Sequence, residues 1–124
     1  MKNSIYKAAL LFLLLPSISF ALSLKEIGRI ETKNLLRSFG TYAFIYASEH
    51  EEQFPNKVED LNEEIKKDKK LLKFVMDPNF EYHASGKGTL DMNGETIICT
   101  YTYPDEGRFI LTGWGSVIWE DHEK

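Results

Sequence analysis

One run of helical periodicity, from Leu24 to about Glu49, is followed by an abrupt Phe54-Pro55, and the rest of the chain must be built around it. Leu24, Ile27, Leu35, Phe39, Tyr42, Ala43 and Tyr46 fall on helical spacing, while Lys25, Glu26, Arg29, Lys33 and Arg37 lie mostly elsewhere on the wheel. Phe44, Ile45 and Ala47 widen the apolar face toward the C-terminal end, which predicts deeper burial there. Gly28 and Gly40 each weaken such a helix by about 1 kcal/mol relative to Ala. Gly40 lies one turn from Leu36, so another element is expected to approach closely there. The residue before a proline is pushed out of the α region, so Phe54 is expected to be extended and folded back under the domain.

Beyond Pro55 the pattern shortens and then changes period. Val58, Leu61 and Ile65 form a narrow stripe, which predicts one short surface helix within Asn56 to Lys70. The lysine run of residues 66–70 reads as a solvated face. Leu71, Leu72, Phe74 and Val75 make an apolar patch ended by the turn signal Asp77-Pro78-Asn79. Phe80 to Tyr82 is a short strand, and Ala84 to Asn93 a loop. Thr96 to Tyr103 is rich in β-branched and aromatic residues; strict alternation places Ile97, Cys99, Tyr101 and Tyr103 on one face, and Ile98, Thr100 and Thr102 on the other. Arg108 to Thr112 and Ser116 to Glu120 are further strands, separated by the turns Pro104 to Gly107 and Gly113-Trp114-Gly115. A wide apolar helix face and a sheet with one apolar face satisfy each other in two layers. The expected fold class is therefore α+β, a long N-terminal helix on a three- to four-stranded antiparallel sheet. Phe39, Tyr42 and Tyr46 suit a helix that must fill a broad sheet face alone, with Ile97, Tyr101 and Phe109 opposite.

The N-terminus has the layout of a secretory leader. Lys2 and Lys7 are basic, Ala8 to Leu15 is unbroken apolar sequence, and Ser19-Phe20-Ala21 places small residues before a cleavage between Ala21 and Leu22. Uncleaved, the segment would be a membrane anchor, but the apolar run from Ala8 to Leu22 is interrupted by Pro16 and falls short of the roughly 20 residues that span a bilayer. Residues 1–21 are thus read as a leader and residues 22–124 as a single exported domain, periplasmic or secreted. Cleavage removes two lysines and no acids, lowering the formal charge from −4 to −6. Such an acidic domain does not suit nucleic acid, whose phosphates reward a basic face. Cys99 is the only cysteine, so no intramolecular disulfide can form and the core must hold the fold alone.

The order helix, Phe-Pro, short Leu-containing helix and β-meander resembles the globular domain of type IV pilin-like proteins, in particular the major pseudopilins of type II secretion. Residues that carry the resemblance are Leu36-Arg37-Ser38-Phe39-Gly40, Tyr46-Ala47, Glu49, Glu51, Phe54-Pro55, Leu61, Asp77-Pro78 with Tyr82, and Gly115-Ser116-Val117-Ile118-Trp119. It spans about residues 30–120. The family's leader ends in Gly and precedes a long apolar segment with an early Glu, whereas here no Gly precedes Gly28 and no acid precedes Glu26. Trp114 stands where the family commonly has an acid. The resemblance implies a non-enzymatic protein acting through contacts with envelope proteins, such as secretion or pilus machinery. It also implies that the usual polymerisation helix is missing or replaced by a signal peptide. A small exported binding or inhibitory module of the same helix-on-sheet build is the alternative.

Catalytic motifs are lacking. His50, His83 and His122 show no metal-ligand spacing, and there is no nucleophile elbow. Cys99 alternates onto an apolar strand face and reads as a buried, inert thiol. No cofactor is expected, and Asp77, Asp91 and Glu95 read as parts of a solvated loop, with calcium the lesser alternative. Trp114 is different. A large ring at a hairpin tip between two glycines is costly unless it is packed or used, so it reads as a ring packed on a neighbour, with an interaction role as the alternative.

Overall fold

The structure is a computed structural model that describes the backbone of residues 17–123 and the side chains of residues 26–123. Its internal contacts divide the chain into residues 1–31 and 32–124, and the packing that follows is that of the second unit. Helix α1 covers Ser17–Glu49. It begins before the expected Leu24 because no Gly or Pro lies between Ser17 and Leu24 to stop it. Most of the expected leader, residues 1–16, lies outside the described residues. Ile27, expected on the apolar face, is exposed. The buried stripe is Leu36, Phe39, Ala43 and Ala47, all fully covered, and Tyr42 and Tyr46 flank it half-buried. Among the α1 residues whose side chains are described, burial is deepest toward the C-terminal end.

The helix ends in a Schellman motif: the Glu52 N–H donates to Ala47 O at 2.8 Å, while Glu51 adopts φ 59°. Phe54 then turns inward as expected. It is 2% exposed, its N–H donates to Lys87 O at 2.8 Å, and its ring meets Phe44 edge-on with centroids 5.0 Å apart. The single helix expected in residues 56–70 is instead a 3₁₀ turn, Val58–Leu61, running into a short helix α2, Asn62–Ile65. Nor does it merely lie on the surface, since Leu61 and Ile65 are completely buried. The apolar patch after it is helix α3, Lys69–Val75, started by Asp68, whose carboxylate accepts the Leu71 N–H at 3.1 Å.

Four antiparallel strands follow in meander order: β1 Phe80–Tyr82, β2 Ile97–Tyr103, β3 Gly107–Thr112 and β4 Val117–Asp121. Tyr101 pairs with both Phe80 and Phe109, and Phe109 with Trp119, so an aromatic row crosses the face beneath α1. Strict alternation fails at the start of β2. Ile97 pairs with Thr112 and Cys99 with Leu111, leaving Ile98 as the extra residue of a bulge. Ile98 and Cys99 are therefore both in the core with Leu36, Phe39, Phe109 and Leu111, while Ile97 is only half-buried. The expected core partner Ile97 is corrected to Ile98.

Ring contacts fill the layer between helix and sheet. Phe39 meets Phe80 at 5.1 Å and Tyr82 at 5.6 Å, Phe74 stacks on Tyr101 at 4.9 Å, and Phe109 meets Trp119 at 4.9 Å. Three tyrosines bury their rings and tie their hydroxyls at the margin. Tyr82 donates to Pro55 O at 2.6 Å, Tyr101 to Asp77 Oδ2 at 3.0 Å, and the Tyr103 hydroxyl lies 2.6 Å from Thr32 Oγ1. The result is an α+β fold, a long helix on a four-stranded antiparallel sheet. Among the described residues no helix is long and apolar enough to cross a membrane.

Candidate functional site

The turn between β3 and β4 is tightly specified. Thr112 N–H donates to Ser116 O at 2.9 Å, their hydroxyls lie 2.8 Å apart, and the Gly115 N–H donates back to Thr112 O at 2.9 Å. Gly115 has φ 83°, a region that side chains rarely adopt. Gly113 N–H donates to Thr96 O at 2.8 Å, which ties the turn to the loop before β2. That loop is ordered by Asn93, whose Oδ1 accepts from Glu95 N at 2.8 Å and from Thr96 N at 3.0 Å.

Trp114 sits across these two segments. A Cβ on Gly94 would lie 2.9 Å from Trp114 Cε3, so one side of the indole rests on a glycine and little else fits there. The indole is nevertheless 77% exposed. Beside it opens a polar cleft of about 480 Å³ lined by His83, Lys87, Asn93, Glu95, Thr96 and Ile97. His83 Nε2 lies 3.2 Å from Thr100 Oγ1 and 3.5 Å from Glu81 Oε2 at its edge. The sequence reading missed this polar cleft, which shares the loop of residues 93–96 with the seat of the Trp114 indole without being lined by the indole itself. The signal available was Asn93-Gly94, a dipeptide that turns sharply and leaves room for a ring.

The remaining sequence candidates are dispersed. Ala21 and Leu22 fall within α1, and their side chains are not among those described. His50 stacks on Tyr46 at 3.7 Å and its Nδ1 donates to Tyr46 O at 2.7 Å, while His122 is exposed near the end of the chain. Asp77 is engaged by Tyr101 and by the Asn79 N–H at 2.8 Å. Asp91 belongs to the 3₁₀ turn Thr89–Asp91, and Glu95 to the loop before β2 that Asn93 orders. Among the described residues no three His, Cys, Asp or Glu side chains gather as ligands for a metal ion.

Cys99 is fully buried between Tyr82 on β1 and Leu111 on β3, and burial pushes its thiol far above the ordinary range. A thiol held protonated is no nucleophile at neutral pH. Burial likewise raises Tyr101, with the hydrogen bond to Asp77 adding to the effect. Compared with known protein families, with curated proteins and with solved structures, the chain matches none.

Proposed function

We propose that the chain is a non-enzymatic, exported, pilin-like protein that works in the cell envelope through protein–protein contacts centred on the Trp114 hairpin. The observation that carries this reading is the posture of Trp114, largely exposed on a turn fixed by backbone bonds and seated on a loop whose Asn93 and Glu95 also line a polar cleft. An aromatic anchor with neighbouring hydrogen-bonding groups is the make-up of a binding hot spot, and a rigid turn loses little entropy when it docks. Helix-on-meander architecture and the Phe54-Pro55 turn support the pilin-like part. Lys25, Glu26, Arg29, Glu31 and Lys33 set this helix apart from the apolar bundle at the centre of pilin-type fibres, where burying so many charges is costly. The proposed role is therefore that of an accessory that docks, not a fibre subunit.

A photo-crosslinking residue placed at 114 in cells that make the protein tests this reading, with the same residue at Lys57 as control. A defined envelope protein joined from 114 and not from 57 is the expected outcome. Equal or absent labelling from the two positions contradicts the reading.

A further inference from the structure

The chain carries 15 basic residues against 19 acidic ones, yet five of the basic residues, Lys66, Lys67, Lys69, Lys70 and Lys73, fall within eight positions. All five are exposed around the start of α3. Lys66 is paired with Glu63 at 2.7 Å, but Lys67, Lys69 and Lys73 make no ion pair among the described residues. Of the acids nearest in sequence, Glu63 pairs with Lys66, Asp68 accepts the Leu71 N–H and Asp77 accepts from Tyr101 and the Asn79 N–H, while one Glu64 carboxylate oxygen is buried and accepts no hydrogen bond. Next to the ammonium groups lies an open cleft of about 460 Å³, lined by Lys69, Leu72, Lys73, Met76, Asp77 and Pro78. Met76 projects from its rim and is 75% exposed. An unbranched apolar side chain exposed beside concentrated positive charge, on an acidic protein, suits a partner that is both anionic and apolar.

We propose that this face, the lysines of residues 67–73 with Leu72, Met76 and Pro78, docks on a phospholipid bilayer bearing anionic headgroups. Ammonium groups meet headgroup phosphates while Met76 enters the boundary of the acyl region. Two features favour lipid over an acidic protein. Every cation in the patch is a lysine, a hydrated point charge that is depleted from protein interfaces, whereas the chain's arginines, which suit carboxylates in bidentate pairs, are Arg29, Arg37 and Arg108, outside it. In addition, the positive charge and the apolar cleft are contiguous, as an amphiphile requires. The inference is independent of the Trp114 reading and would bring even a chain cleaved after Ala21 to a membrane surface.

Vesicle co-sedimentation of the protein as isolated tests it, comparing neutral phosphatidylcholine with vesicles that also contain phosphatidylglycerol. The neutral vesicles measure any contribution of the apolar N-terminal stretch. Binding is expected to rise sharply with phosphatidylglycerol at low salt and to fall at high salt, despite the protein's net negative charge. Each lysine at an anionic surface is worth roughly a factor of five, so the combined Lys67→Gln, Lys69→Gln and Lys73→Gln variant should bind about 100-fold more weakly. Met76→Ser should weaken binding several-fold, and Lys57→Gln should not. All are surface changes, and an unaltered melting curve checks each fold. Equal binding of wild type and triple variant to the anionic vesicles overturns the proposal, as does indifference to phosphatidylglycerol. Salt-sensitive capture by polyglutamate without vesicle binding reassigns the patch to an acidic polypeptide and overturns it too.

Discussion

Leu111 packs against the bare α-carbon of Gly40: a Cβ there would lie 2.7 Å from Leu111 Cδ2. A Cβ on Gly28 would meet nothing within 4 Å. Gly40→Ala gains about 1 kcal/mol of helix propensity but forces a fully packed leucine to move, which costs about 1–3 kcal/mol. A lower melting temperature is expected. Gly28→Ala carries only the gain and should strengthen the helical signal in circular dichroism. If both substitutions stabilise, the helix does not sit where Gly40 and Leu111 place it.

Phe39 is the centre of the ring cluster, fully buried and edge-on to both Phe80 and Tyr82. Phe39→Ala should destabilise by about 3–5 kcal/mol, a large share of the stability of so small a domain. Chemical denaturation of the two proteins measures it, and an unchanged midpoint would mean that another face of α1 is buried.

Much of this packing was legible in the sequence. Helical spacing around Phe39, the inward turn of Phe54 before Pro55 and the two Gly-bearing turns each specify a local conformation strongly enough to be read without neighbours, although the helix itself stops earlier, in the Schellman motif after Glu49. The bulge at Ile98 was not, because alternation is a property of one strand whereas a bulge is fixed by its partner, here the register of Cys99 on Leu111. Asp68 was lost inside a lysine run that reads as solvent-facing, although an Asp three residues before Leu71 is an N-cap signal. Trp114 meets Gly94 and Gly113 meets Asn93, a contact between the last turn and the loop before β2 that no local pattern encodes, and the cleft between residues 83 and 97 is equally a matter of tertiary folding.

Glu51 holds the left-handed position of the Schellman motif, where glycine is the usual residue. Relieving a non-glycine residue of that conformation gains about 1 kcal/mol. Glu51→Gly should therefore raise the melting temperature, whereas the same change at exposed Glu49, inside α1, should lower it. The opposite ranking would contradict this end to the helix.

Alkaline pH should unfold the protein through its buried acids. Cys99, Tyr82 and Tyr101 all hold their protons more tightly in the folded chain, chiefly because of burial. Between the ordinary and the raised pKa the folded state binds more protons than the unfolded one, so stability falls as pH rises. The loss begins near the ordinary thiol value of about 8.5, at no more than roughly 1.4 kcal/mol per pH unit for the fully buried thiol, and steepens by less than that for each phenol near the phenol value of about 10, because the two half-buried phenols are screened by solvent. Urea midpoints from pH 7 to pH 10 measure it. Cys99→Ala should flatten the slope below pH 10, and an unchanged slope would place the thiol in water.

Export is the premise on which the docking role depends, and the mature N-terminus tests it most directly. Ser19-Phe20-Ala21 sets the expected junction. Intact-mass spectrometry of the protein recovered from outside the cytoplasm should find a chain that begins at Leu22. A chain that retains Met1 and remains in the cytoplasm would contradict the account.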